Sequence, residues 1–105
     1  MLDALIFFVT APNLEEGKKI ARLLVEQKIV ACINIIQNVI SIYWWKEKIE
    51  EDSEVLLIIK TNKKNAKRLM AKIKEIHPYD TPECISVEVN DGLKSYLEWI
   101  NQVTE

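Results

Sequence analysis

The sequence predicts an α+β domain in which four strands and two helices follow one another as βαββαβ, with a short helix after them. Three observations predict it. Four segments are rich in β-branched and aromatic residues or alternate apolar with polar at a period of two, the repeat of a strand. Three segments repeat their apolar residues at helical spacing. Proline and asparagine fall between segments, where turns and helix ends belong.

Ala4 to Thr10 is an unbroken β-prone run with Leu5, Phe7 and Val9 on one face and Ile6 and Phe8 on the other, the pattern of a central strand covered on both sides. Ala11-Pro12-Asn13 reads as a turn, with Asn13 placed to cap a helix and Glu15 and Glu16 at its positive end. Leu14, Gly17, Ala21, Leu24, Val25 and Lys28 fall at helical spacing, and this helix ends near Lys28. Val30 to Trp45 and Val55 to Thr61 are the next two strands, joined by a hairpin bend over Trp45 to Ile49, with a bulge in the first near Gln37-Asn38. The second helix carries Ala66, Leu69, Met70, Ile73 and Ile76 on one stripe, lysines opposite, and Pro78 at its end. Ile85, Val87 and Val89 alternate with Cys84, Ser86 and Glu88 as the last strand, and Leu93, Tyr96, Leu97 and Ile100 mark the terminal helix.

This order is that of ferredoxin-like domains, whose right-handed crossovers place both main helices on one face of a four-stranded antiparallel sheet. The other face is left open although its residues are apolar, and such a patch exceeds what soluble monomers usually carry. An oligomer follows from the patterning. The long hairpin arm argues the same way, because Ile42-Tyr43-Trp44-Trp45 with free edges is an aggregation hazard unless a neighbouring subunit pairs with it. Tyr43, Trp44 and Trp45 are therefore read first as interface residues and second as a stacking surface for a ligand. Glu47-Lys48 and Glu50-Glu51-Asp52 read as a solvated arm tip.

Composition narrows the function classes. The 105 residues suit one domain, spanning 1–105, and 49% hydrophobic content fills a single core without staples. A net charge of −2 with both signs interspersed argues against nucleic acid and anionic membranes as partners. Neither a secretory leader nor an apolar run of roughly 20 residues is present, so the expected compartment is the cytoplasm. Cys32 and Cys84 lack the spacing of a zinc ribbon or a redox motif and read as reduced, buried thiols.

The chemistry concentrates in His77-Pro78-Tyr79-Asp80-Thr81-Pro82-Glu83, which holds the only histidine and two of the three prolines. Each proline holds the residue before it extended, so the loop is stiff enough to aim side chains. The plainer account is that Pro78 stops a helix, Pro82 starts a strand and Tyr79 packs as a lid.

Thr10-Ala11-Pro12, Ala31-Cys32-Ile33-Asn34, Tyr43-Trp44-Trp45-Lys46, Lys48-Ile49-Glu50-Glu51-Asp52-Ser53-Glu54-Val55, Lys60-Thr61, the histidine-proline loop and Tyr96-Leu97-Glu98-Trp99-Ile100 occur in this order. Together they resemble the CutA divalent-cation tolerance proteins over essentially the whole chain. The resemblance implies a ferredoxin-like subunit and a homotrimer in which long hairpins pair between neighbours. It also implies kinship with nitrogen-regulatory signalling trimers, which bind small ligands in clefts between subunits. Members are linked to copper tolerance in bacteria and to anchoring of a membrane enzyme in animals.

Departures from the family limit what carries over. Copper ligands proposed in some bacterial members are a cysteine before Thr-Ala-Pro and two histidines before Pro-Tyr, and the matching positions here are Val9, Ile76 and His77. Val9 and Ile76 offer no ligand, so this chain cannot build that site. Glu47 stands where many members carry glycine, which implies a different turn. A Cu or Zn site from His77 with Cys32 and Glu83 is one remaining reading. An enzyme with His77 as base, Asp80 or Glu83 as its orienter and Lys60 holding an anion is another. An acylphosphatase-type hydrolase shares fold and size, but its glycine-rich anion loop with an arginine is missing: the only arginines, Arg22 and Arg68, fall on predicted helices. The expectation is a trimeric, non-enzymatic, cytoplasmic protein with no certain cofactor. Its ligand site, for a divalent cation or a small molecule, is an inter-subunit cleft near Cys32, Asn34, Lys60, His77, Tyr79 and Glu83.

Overall fold

A computed structural model describes residues 3–105. The chain runs β1 (Ala4–Ala11), α1 (Leu14–Glu26), β2 (Cys32–Trp45), β3 (Lys48–Asn62), α2 (Ala66–Ile76), β4 (Ile85–Glu88) and α3 (Lys94–Val103). The four strands form one antiparallel sheet in the order β2-β3-β1-β4, the ferredoxin-like arrangement. Asn13 caps α1 as expected: its side-chain oxygen accepts the Glu16 N–H at 2.8 Å. At the end of α2, His77 is extended (φ −73°, ψ 139°), as a residue before proline must be.

Phe7, Val9, Leu57 and Ile59 share the sheet face that meets Ile20 and Leu24 of α1 and Leu69 and Ile73 of α2, and all are essentially sealed from solvent. This is the main core. On the other face Ile6, Phe8, Leu56 and Ile58 are only partly covered, so the expectation of a first strand sealed on both sides is met on one side within the subunit. The exception lies under α3, where Ala4, Ala31 and Ile100 form a second small core with Leu97 and Val103 beside it. There Asn62 donates to Asn101 at 2.8 Å and to Thr104 at 3.1 Å, which satisfies a fully buried amide and fixes the helix to the sheet.

Several boundaries differ from the sequence reading. β3 begins at Lys48, not Val55, because its charged first half is paired residue for residue with the aromatic end of β2. The ladder, not intrinsic preference, makes that segment a strand. β2 begins at Cys32 and β4 ends at Glu88, although the Val89 N–H still donates to the Ala4 carbonyl at 3.1 Å. A 3-10 turn over Lys63–Asn65 leads into α2, and the sequence reading missed it.

The hairpin of β2 and β3 extends beyond both helices, giving a subunit 44 Å long against 26 and 23 Å across. Its turn holds Lys46 at φ 50° and Glu47 at φ 66°, the two successive left-handed residues of a tight two-residue hairpin. Glu47 thus adopts the backbone that glycine would take most easily.

Candidate functional site

The bulge expected near Gln37-Asn38 is present, and it decides which side chains meet at the site. Ile36 pairs with Leu56 but Val39 pairs with Glu54, so β2 spends one residue more than β3 there, with Asn38 at φ 63°. One extra residue turns every later side chain of β2 to the opposite face. Before the bulge Cys32, Asn34 and Ile36 share the open face with Lys60, Ile58 and Leu56; after it Val39, Ser41 and Tyr43 share that face with Glu54, Asp52 and Glu50. Trp45 follows on the same face. Trp44 faces the other way, in a stripe with Ile40, Ile42 and Ile49.

The exposures follow this division. Ile40, Ile42, Trp44 and Ile49 are 64 to 72% exposed, whereas Tyr43 and Trp45 are at 40 and 39%. The latter two face the histidine-proline loop across a cleft of about 850 Å3. β1 ends opposite Val55, and the loop lies beside β3 where that partner has stopped.

His77 anchors the loop. Its ring is 8% exposed, Nε2 lies 2.7 Å from the Thr10 carbonyl oxygen, and Nδ1 accepts the Tyr79 N–H at 3.1 Å. A carbonyl only accepts, so Nε2 carries the proton and Nδ1 the lone pair. Both nitrogens are engaged, and a metal at either displaces one of these bonds. The Tyr79 ring lies 4.7 Å from the imidazole and its hydroxyl donates to Glu54 at 2.6 Å.

Glu54 is a charged residue only 7% exposed, and among the described residues no lysine or arginine reaches it as an ion pair. Asp52, two positions earlier, accepts a hydrogen bond from the Tyr43 hydroxyl. This bond and neighbouring carboxylates push the Tyr43 phenol up to about 12, so it stays a donor. Burial first, then the bond to Glu54, push Tyr79 up as well. The Glu83 carboxyl is raised by burial and then by Glu54. Burial chiefly, with Glu83 second, pushes the Cys84 thiol up to about 11, which leaves it protonated and a poor metal ligand.

The six expected ligand-site residues therefore form two groups within one subunit. Tyr79 and Glu83 line the cleft, and His77 lies behind them in contact with Tyr79. Cys32, Asn34 and Lys60 lie together toward the other end of β3, where Lys60 donates to Asn34 and sits opposite Cys32. Lys60 and Glu54 are six residues apart on one strand, or ~20 Å. Cys32 is half-buried beside Tyr96 of α3, whose hydroxyl is pushed up by burial and then by that thiol. Among the described residues no three His, Cys, Asp or Glu side chains converge as a metal site. Asp52 and Glu54, which the sequence reading had not placed at the site, supply its most buried acid and an oriented neighbour. Their signal was a period of two, Glu50, Asp52 and Glu54, in a segment read as solvated.

A family model described as the CutA1 divalent ion tolerance protein matches residues 5–103. Protein CutA of Mus musculus is 48% identical over 98 residues, 93% of this chain and 55% of that protein. The divalent-cation tolerance protein CutA of Thermus thermophilus is 35% identical over 99 residues, 94% of this chain and 96% of that protein. The crystal structure of CutA1 from Oryza sativa superimposes with a TM-score of 0.96 at 38% identity, covering 99% of this chain and 95% of that one. The chain thus spans about half the length of the mammalian relatives it matches and nearly all of the bacterial one.

Proposed function

We propose that this chain, which belongs to the CutA1 divalent ion tolerance protein family, works as a homotrimer in divalent-cation (copper) tolerance and binds a small ligand or ion without turning it over. The observation that carries the trimer is the bare apolar stripe Ile40, Ile42, Trp44 and Ile49 on the arm, together with the incompletely covered sheet face on the opposite side. Neighbouring copies remove both from water at about 25 cal/mol per Å2 of apolar surface buried. Trp44 is the interface anchor of the three aromatics, and Tyr43 and Trp45 serve the cleft.

The ligand site is the cleft walled by the arm and the histidine-proline loop, with the Cys32-Asn34-Lys60 group brought to it by the neighbouring subunit. The committed nitrogens of His77 support a role in ordering the loop over one as the metal ligand. Binding without catalysis accords with the cleft's chemistry, which has oriented carboxylates and aromatic rings but no nucleophile paired to a base. A sensing role like that of nitrogen-regulatory trimers uses the same cleft. The cytoplasm is the compartment we assign from composition, although two plant relatives are named chloroplastic and an archaeal structure periplasmic; cell fractionation decides it. Among the described residues no helix is long and apolar enough to cross a membrane.

Light scattering tests the assembly: the expected mass is three times 12.2 kDa and holds on dilution. A monodisperse monomer at micromolar concentration sinks this reading.

A further inference from the structure

The fold sorts the charges of this chain. Residues 14–28 and 63–76, the helix layer with its flanking turns, carry ten lysines and arginines against four glutamates, a net charge of +6. The remaining residues carry four against twelve, a net −8, so the chain's −2 is the sum of two unlike regions. Positive charge is densest at 63–74, where six basic residues stand with no acid among them. Three of the six have partners: Lys63 with Glu88 at 2.8 Å, Arg68 with Glu105 at 3.5 Å and Lys72 with Glu75 at 3.5 Å. Lys64, Lys67 and Lys74 are exposed, and among the described residues no carboxylate reaches them as an ion pair.

These three form one ridge. Lys67 and Lys74 lie two turns apart, ~10 Å, on the outer side of α2 with exposed Ala71 between them, and Lys64 on the 3-10 turn continues the line. The placement works against the helix itself. Where α1 puts Glu15 and Glu16 at the positive end of its dipole, α2 has no acid in its first turn and begins with Lys67 and Arg68, just after Lys63 and Lys64. Positive charge crowded at a positive helix end is relieved by an anion from outside the chain.

The kind of anion follows from what else the ridge offers. Basic amphipathic helices that lie on membranes bury their apolar side among lipids, but α2 has its apolar side, Leu69 and Ile73, sealed in the subunit's core. Single-stranded nucleic acid is held by rings that stack on its bases, and no aromatic residue falls in 63–76. Phosphate charge alone remains. Lysine meets phosphate as a point charge on a flexible stem, which suits a polymer of phosphates bound without fixed register.

We propose that the outer side of α2 and the 3-10 turn before it, through Lys64, Lys67 and Lys74, form a docking surface for inorganic polyphosphate, a linear phosphate polymer without bases. The surface uses no residue of the arm, the open sheet face or the cleft, so it adds to the function proposed above and does not depend on it.

The test is calorimetric titration of the full chain, in its native oligomer, with long-chain inorganic polyphosphate at two salt concentrations. Saturable binding is expected at the lower one, with log affinity falling as log salt rises, because each phosphate contact releases counterions. Replacing Lys64, Lys67 and Lys74 together by Gln is expected to weaken binding about tenfold or more and to reduce the salt slope by about 2. Replacing Lys46, Lys48 and Lys94 by Gln removes the same charge outside the helix layer and is expected to leave affinity within about twofold. Lys67→Gln with Lys74→Gln serves if the first variant fails to fold. Any of four results overturns the proposal: no saturable heat with polyphosphate, wild-type affinity and slope in the ridge variant, full competition by orthophosphate at equal phosphate concentration, or binding of single-stranded DNA or phosphatidylserine vesicles as tight as that of polyphosphate at equal charge.

Discussion

The two halves of the β2–β3 hairpin are the same ladder in opposite surroundings. At the base, Ile33 and Ile35 pair with Ile59 and Leu57 under α1 and α2; in the arm, beyond the bulge, Ile42 pairs with Glu51 and Trp44 with Ile49 with no helix over them. The base is held by burial. The arm is held by backbone pairing and by cross-strand contacts such as Tyr43 to Asp52, and its apolar side chains contribute only when another surface covers them. The base thus serves the subunit's own stability, and in the proposed reading the arm serves association on one face and ligand contact on the other.

Truncating each half in turn breaks or sharpens this contrast most strongly. Leu57→Ala removes a fully buried side chain and should cost about 2–5 kcal/mol in urea unfolding. Trp44→Ala should leave the subunit's fold unchanged by circular dichroism yet weaken the trimer by about 2 kcal/mol, read as dissociation on dilution in light scattering. A Trp44→Ala trimer as tight as the wild type removes the arm's outer face from the interface.

His77→Ala probes the joint between the halves. It leaves the Thr10 carbonyl and the Tyr79 N–H without their partners, so thermal stability should fall by about 1–3 kcal/mol. Copper or zinc binding, measured by calorimetry, should stay weak and unsaturable in both proteins. Loss of a one-equivalent site with the mutation would reassign His77 as a ligand.

The same contrast explains what was legible in the sequence. Leu5, Phe7 and Val9 announce their strand because one face is buried, and Leu69 and Ile73 announce their helix for the same reason. Lys48 to Glu54 does not, since its strand character comes from pairing with distant residues and its charges suit a loop equally well. Asp52 and Glu54 were missed with it. The Asn62-Asn65-Thr104 network was missed because buried asparagines carry no periodic signal; Asn62 accepts the Asn65 N–H at 3.2 Å only once the 3-10 turn exists. The histidine-proline loop was legible through its prolines, which restrict the backbone whatever surrounds them. The separation of Cys32, Asn34 and Lys60 from it was not, because proximity along neighbouring strands depends on register.

At the arm tip the expected effect is smaller and of opposite sign. Glu47 holds φ 66° without being glycine, which costs about 1 kcal/mol. Glu47→Gly relieves this while loosening the unfolded chain, so a net gain of about 0.5 kcal/mol is expected in thermal unfolding. A loss instead would mean that the glutamate side chain makes a contact, in the assembly, that outweighs the strain.

The smallest effect expected belongs to Glu83, on the loop that faces the arm. Its folded carboxyl is raised above the ordinary 4.5, by burial and then by Glu54. A raised acid binds its proton more tightly folded than unfolded, so its contribution to stability is fully present below the ordinary value and is lost as pH rises through the raised one. Glu83→Gln removes the charge that causes this loss. The variant should match the wild type in acid and exceed it near neutrality by about 0.5 kcal/mol, a small figure because most of the carboxyl meets solvent. Melting temperatures at two pH values measure it. An equal shift at both would trace the change to packing and would leave the crowding of negative charge across the cleft without an energetic signature.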